Sequence, residues 1–321
     1  MSRMELLKIK NQGECFAEFI SSLKNPHPRI PTGFSELDSA LDGGLATGLY
    51  ILGAMSSLGK TTFVMQMADQ IAKAGHEAMI FSLEMSRFEL TLKSISRCTG
   101  LEMAKSLEVG KAKSSLWIEE FFLKCDESEK RLIEKAFEEY SSYSDRVMIV
   151  EGNGAIGADE IRDALSQYID AGNGRPVVFI DYLQILSPHK ENASDKANID
   201  YSVSELRRIS RDFSIPVMAI SSFNRMSYGG PATMESFKES GSVEYSSDVL
   251  MGLQFCRMAS NIDLNDAKRK SPREMELVVL KNRSGETGAK LQFNYYPHCN
   301  LFCGKKEENM IYNAVYSRKR R

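Results

Sequence analysis

Apolar residues in this chain fall into two recurring forms. Short continuous runs, at Gly48 to Leu52, Ala78 to Leu83, Val147 to Val150 and Val177 to Ile180, are too short for helices and predict strands buried on both faces. Between them stand segments whose apolar residues recur three and four apart. Thr61 to Ala74 carries Phe63, Val64, Met67, Ala68 and Ile71 on one face, with Gly75 as its stop; Phe88 to Cys98 and a stretch through Ile161, Leu165 and Ile169 follow the same rule. Residues 101–144 read as helical throughout, with an amphipathic stretch at Leu132, Ile133 and Phe137. A helix over Val203 to Phe213 leads through Pro216 into a strand at Val217 to Ile220. Further strands are predicted at Val249 to Phe255, Glu276 to Leu280 and Lys290 to Tyr295, the last two joined by a turn at Ser284-Gly285. The fold class is therefore α/β: a mainly parallel central sheet flanked by helices, with an antiparallel hairpin at its edge. Residues 187–200, SPHKENASDKANID, lack periodicity and predict a loop.

Residues 1–28 stand apart. Leu6, Leu7, Phe16, Phe19, Ile20 and Leu23 form a helical stripe, broken near Gly13 and stopped at Asn25-Pro26, with too little around it to bury it. This arm is expected to lie on the body or on a neighbouring subunit, and residues 29–321 to form the main domain. Ser317-Arg-Lys-Arg-Arg321 is a basic tail, disordered or in contact with nucleic acid.

Composition narrows the function classes. With 321 residues, 42% of them hydrophobic, the chain can build its own core without disulfides or metal. Forty-one Lys and Arg against 43 Asp and Glu leave a formal charge of −2, so any nucleic acid must meet a local stripe or a ring interior. Of six cysteines only Cys299 and Cys303 are close, which fits reduced thiols better than a zinc site. The start has no signal-peptide core and no run approaches a membrane span, so the expectation is a cytoplasmic chain with no membrane contact.

The strongest chemical signal is Ala54-Met-Ser56-Ser57-Leu58-Gly59-Lys60-Thr61-Thr62, between the first strand and the first long helix. It has the phosphate-loop pattern with Ala54 in place of the leading glycine. In such a loop backbone N–H groups and a helix N-terminus cradle phosphates, the lysine meets the β/γ-phosphates and the hydroxyl ligates Mg²⁺. Asp181 ends an apolar strand at the sheet edge where α/β proteins bind ligands, which suits a metal-shell carboxylate, although an Asp there also serves turns and caps. Glu84, after the second strand, is the candidate general base for a water attacking the γ-phosphate; the alternative is a helix-terminus charge beside Ser86.

Together these stretches resemble the motor domain of the bacterial replicative DNA helicase (DnaB) family over about Ile30 to Phe302. The likeness rests on Ile30-Pro-Thr-Gly-Phe-Ser-Glu-Leu-Asp38, the phosphate loop, Phe81-Ser-Leu-Glu-Met85 and Phe179-Ile-Asp-Tyr-Leu-Gln184. It continues in Glu239-Ser-Gly-Ser-Val-Glu244 and Lys281-Asn-Arg-Ser-Gly-Glu-Thr-Gly288. The resemblance implies a RecA-like P-loop NTPase fold, a hexameric ring or spiral, and ATP- and Mg²⁺-dependent 5′→3′ movement on single-stranded DNA in replication. Lys60 and Thr61 would hold phosphates and metal, Asp181 the metal shell, and Glu84 the attacking water. Arg283 resembles the family's arginine finger and Lys281 its companion, both reaching the ATP of an adjacent subunit; without the resemblance they read as exposed edge-strand charges. Lys238, Glu239 and Gly241 match the loop that contacts DNA in the ring channel. Arg207 and Arg208 are weaker DNA candidates, equally suited to a solvated helix face.

Three departures from the family pattern stand out. Ser222 occupies the position of a γ-phosphate-sensing Gln, Lys238 that of an Arg with bidentate geometry, and the expected primase-recruiting amino-terminal domain is replaced by the short arm. The leading expectation is a DNA-dependent ATPase and helicase, with a primase or helicase loader as partner. Two alternatives stay open: a nucleotide-switched module that binds DNA or a helicase with little translocation, and a RecA-like repair ATPase.

Overall fold

The computed structural model describes residues 11–24, 29–152, 154, 156–237, 240–258 and 263–308. Its helices are α1 (Gln12–Lys24), α2 (Ser35–Ala40), α3 (Lys60–Lys73), α4 (Arg87–Ala104), α5 (Ser115–Phe121), α6 (Glu127–Ser141), α7 (Ala158–Asp170), α8 (Asp195–Phe213), α9 (Ser240–Ser246) and α10 (Leu264–Arg269). Its strands are β1 (Gly48–Ala54), β2 (Ala78–Ser82), β3 (Val147–Glu151), β4 (Val177–Asp181), β5 (Pro216–Ser222), β6 (Val249–Phe255), β7 (Arg273–Asn282), β8 (Lys290–Tyr296) and β9 (Leu301–Gly304).

Among the described residues these strands form one sheet in the order β3-β2-β4-β5-β1-β6-β7-β8-β9. The first six run parallel and the last three pair antiparallel. Every residue of β1, β2, β4 and β6 is buried, as continuous apolar runs require. The parallel register aligns the carboxyl ends: Ala54 lies beside Ser222 and Ser82 beside Asp181. That edge is where an α/β sheet receives its ligands.

An aromatic cluster closes α3 onto the antiparallel end of the sheet. Phe34 stacks on Phe63 at 4.6 Å, and Phe63 meets the edges of Phe293 and Phe302 at 5.4 and 5.2 Å. A separate small core joins α4 to α5 and α6 through Leu92, Ile95, Ile118 and Ile133, which accounts for the helical region at 101–144. The buried guanidinium of Arg97 pairs with Asp69, tying α4 to α3.

Helix α1 starts at Gln12, beside Gly13, where Asn11 accepts the Glu14 N–H and caps the first turn; Leu6, Leu7 and the stop at Asn25-Pro26 lie outside the described residues. One expectation is corrected. The loop expected over 187–200 ends at Ser194, whose hydroxyl accepts the Ala197 N–H; Asn198 then bonds back to Lys190, so a polar sequence without periodicity still opens a helix. The expected antiparallel hairpin at this end of the sheet is β7 and β8, and a further strand, β9, extends it by pairing with β8. The tail 317–321 lies outside the described residues.

Candidate active site

At the carboxyl edge β1 ends at Ala54, and the chain turns through Ser56 and Ser57 into the amino terminus of α3. Ser57 (φ 64°) and Gly59 (φ 92°) both take left-handed backbone, which folds the loop over the helix end. At Gly59 a Cβ would stand 2.9 Å from Tyr295, so the glycine meets a steric as well as a conformational demand. Leu58 is fully buried beneath the loop and does not line the cavity. Ala54, where a glycine was expected, is wholly buried inside the sheet. Arg273 braces the loop from β7, donating to the Ser57 carbonyl at 3.3 Å.

The loop borders a cavity of about 350 Å³ that Lys60, Thr61, Glu84, Lys93, Asp181 and Ser222 also line. Lys60 Nζ donates to the Ala54 and Met55 carbonyls at 3.3 Å and stands 3.5 Å from Ser222 Oγ. Thr61 donates to Asp181. Burial of the Asp181 carboxylate pushes its pKa up to about 6, with Glu84 adding repulsion while Thr61, Lys60 and Lys93 oppose the rise. One carboxylate oxygen of Asp181, Oδ2, is buried without a hydrogen-bond partner among the described residues.

Glu84 is exposed at the cavity mouth. Its turn is fixed on both sides: the Leu83 N–H donates to the Asp181 carbonyl at 2.9 Å, and Ser82 Oγ accepts the Met85 N–H at 3.3 Å. The helix-terminus role belongs to a different residue, since Ser86 and Glu89 form the reciprocal cap of α4. Glu84 thus stands free of the cap and beside Asp181.

The structure therefore brings Ser56, Ser57, Gly59, Lys60, Thr61, Thr62, Glu84, Asp181 and Ser222 to one cavity. It adds Lys93 and Tyr295, which the sequence reading missed. Lys93 lies on the α4 face turned toward Asn300, to which it donates at 3.3 Å, and burial together with Arg97 lowers its pKa. Gln184 supports the Ser222 position, accepting the Ser222 N–H at 3.3 Å and donating to Ser221 Oγ at 2.9 Å.

Lys281 and Arg283 are not in this cavity. Asn282 pairs with Val249 at the start of β6, while Leu253, beside Ala54, pairs with Leu277. The two cations thus sit at the opposite edge of the sheet, roughly 15 Å along the strands. Lys281 Nζ donates to the carbonyls of Glu244 and Ser247, and Arg283 to that of Tyr245. Arg207 pairs with Asp248 at this edge and is no solvated helix charge; Arg208 is exposed and pairs with Glu205. Lys238 and Glu239 lie outside the described residues, and Gly241 lies in α9.

The model of the DnaB-like helicase C-terminal domain family matches residues 29–303. The chain is 28% identical over 290 residues to the replicative DNA helicase DnaB of Helicobacter pylori, covering 81% of this chain and 56% of that protein. It is 27% identical over 281 residues to the DnaB of Geobacillus stearothermophilus, covering 85% and 56%. It thus spans about half the length of these curated relatives. Among solved structures, a separately solved ATPase domain superimposes with a TM-score of 0.76 at 20% identity, covering 92% of this chain and 99% of that one. A DnaB-like replicative helicase, solved in a study of its interactions with primase, gives 0.74 at 20% identity over 92% and 67%. These likenesses establish a shared RecA-like fold. No helix among the described residues is long and apolar enough to cross a membrane.

Proposed function

The chain belongs to the DnaB-like helicase C-terminal domain family, and from that membership and its cavity we propose that it is an ATP-driven motor moving 5′→3′ on single-stranded DNA in replication. The observation that carries this reading is the convergence of Lys60, Thr61, Glu84 and Asp181 on one cavity at the amino terminus of α3.

Each residue then has a task set by its position. The α3 terminus and the Ser56–Gly59 backbone offer N–H groups to the phosphates, and Lys60 adds a point charge. A buried carboxylate with an unpartnered oxygen beside a threonine hydroxyl fits a hard divalent cation, so Thr61 and Asp181 would hold Mg²⁺. When bound, Mg²⁺ neutralises charge on the β- and γ-oxygens. Glu84, exposed at the mouth, accepts the proton of the attacking water. Ser222 stands near Lys60 at the carboxyl end of β5 and reaches the γ-phosphate side through a short hydroxyl.

Because Lys281 and Arg283 face away from their own cavity, they would serve the ATP of an adjacent copy, in a hexameric ring or spiral. A guanidinium supplied in this way stabilises the charge spread over the transferring phosphoryl group. Lys238, Glu239 and Gly241 of each copy would line a channel for DNA, and a primase or helicase loader would complete the assembly.

The test is steady-state ATP hydrolysis with and without single-stranded DNA, with Lys60→Ala as the blank. Strong stimulation by DNA is expected, with turnover lost in Glu84→Gln and reduced by about 10³-fold or more in Arg283→Ala. DNA-linked activity intact in Glu84→Gln would refute the motor. Slow turnover indifferent to DNA would favour a nucleotide-switched module, with Ser222 as the residue to restore to Gln.

A further inference from the structure

The edge that carries Arg283 holds an arrangement the nucleotide cavity does not require. Asp248, half-buried just before β6, is fixed to the fold through its backbone: its N–H donates to the Leu49 carbonyl at 2.8 Å, and its carbonyl accepts the Arg283 N–H at 3.0 Å. Its side chain is equally committed. Oδ2 accepts the Leu49 N–H at 2.9 Å, while Oδ1 faces Arg207 Nη2 at 3.4 Å and Arg283 Nη1 at 3.7 Å. Gly48 leaves room for this carboxylate, since a Cβ there would come within 3.2 Å of Oδ2.

The charges do not balance locally. Arg207, Lys281 and Arg283 converge on Asp248, and partial burial together with their mutual repulsion lowers the pKa of Lys281. Of the two guanidiniums on Oδ1, Arg283 is the looser, at a distance well beyond that of a tight charge-assisted bond. It is also the more exposed, with 39% of its side chain accessible against 20% for Arg207.

We propose that Asp248 is the positioning residue for Arg283, orienting its guanidinium at the subunit edge and releasing it to the phosphates of an adjacent copy's nucleotide. Release breaks this loose pairing and the bond from Arg283 to the carbonyl of Tyr245, an exposed residue, while Asp248 keeps Arg207 and the Leu49 N–H, so no bare carboxylate is stranded. Lys281, held by two carbonyls, stays as the fixed cation beside the moving one. The inference rests on the reading of Arg283 as a group acting on a neighbour, and Asp248 acts only through it.

The test is a double-mutant cycle on the full chain, measuring kcat and KM for ATP on single-stranded DNA. Asp248→Asn keeps the shape and the acceptor for Leu49 but removes the charge. It is expected to lower kcat by about tenfold with KM unchanged, since the affected contact is made in the transition state. On the Arg283→Ala background the same change should cause no further loss. Losses that multiply in the double variant, or wild-type kcat in Asp248→Asn, would overturn the proposal. Wild-type turnover in Arg283→Ala would instead remove the underlying reading, and this proposal with it. Should Asp248→Asn fail to fold, Arg207→Gln runs the same cycle by removing the rival cation. A change in kcat that vanishes without Arg283 supports the proposal, and an unchanged or multiplicative result overturns it.

Discussion

Asp181 ends a strand whose five residues are all buried, so its carboxylate ionises in a poor solvent and its pKa rises to about 6 despite the Thr61 hydrogen bond. For a carboxylate held above its ordinary value the folded state binds the proton more tightly than the unfolded chain. Stability is therefore untouched below pH 4 and falls as pH rises toward 6, by about 3 kcal/mol in full. Asp181→Asn removes that penalty while keeping an acceptor for Thr61. Melting of the nucleotide-free variant should occur several degrees above wild type at pH 7.5, with the gain shrinking to nothing near pH 4, while stabilisation by Mg²⁺ and ATP is lost. Equal melting at both pH values would show that Asp181 carries no such penalty. The same locality explains which residues could be read from the sequence. Lys60, Thr61, Glu84 and Asp181 sit at strand ends or a helix start, where a short pattern fixes the position. Lys93 and Tyr295 reach the cavity through the turn angle of α4 and through a strand more than two hundred residues away, and no local pattern carries either. Asp248 follows two serines in no recognisable motif, and its side-chain partners come from α8, from β1 and from the residue just after β7.

Elements were legible where a single principle governed them. Continuous apolar runs became the buried parallel strands, and Gly75 (φ 95°) ended α3 by returning its own N–H to Ala72 and that of His76 to Ile71. The misses came where two signals competed. A cap at Ser194 and the Asn198 bonds to Lys190 drew a polar stretch into α8, and β9, four residues long, follows its partner too closely to show a period of its own. The β2–α4 turn bears directly on function, because it presents Glu84 to the cavity between a bonded Leu83 and the Ser86–Glu89 cap. Ser86→Ala should cost about 1 kcal/mol of stability by denaturant titration. Amide exchange should quicken first over residues 84–90, with kcat falling while nucleotide affinity holds. Unchanged exchange in that turn would mean that the cap does not set the placement of Glu84.

At the scale of the whole molecule the sheet holds two groups of charged residues apart. Its carboxyl edge holds the phosphate loop with Glu84 and Asp181, and its opposite edge holds Lys281 and Arg283, so no single copy unites them. The first group was readable from motifs in order along the chain. A role for the second is implied only by the family resemblance, because alternating charges at a strand end look the same whether they face water or a neighbour. A head-to-tail interface repeats one contact around an assembly and would bring the edge with Lys281 and Arg283 of one copy to the cavity of the next. Helix α1 presents Phe16, Phe19 and Leu23 to solvent, an apolar stripe suited to contact between copies. The division makes a prediction that no monomeric mechanism shares. Lys60→Ala and Arg283→Ala chains should each be inactive alone, one lacking the loop cation and the other the donated guanidinium. Mixed in equal amounts and allowed to exchange, they form some interfaces that join an intact loop to an intact Arg283. Random heterologous pairing makes these about one quarter of all interfaces, so DNA-stimulated hydrolysis should return toward that share of the wild-type rate. Adjacent interfaces are never both intact, because a copy with an intact loop lacks Arg283, so recovery requires interfaces that fire independently. A mixture as inactive as its parts, with exchange verified by mass, would end the reading of a two-copy site whose interfaces fire independently.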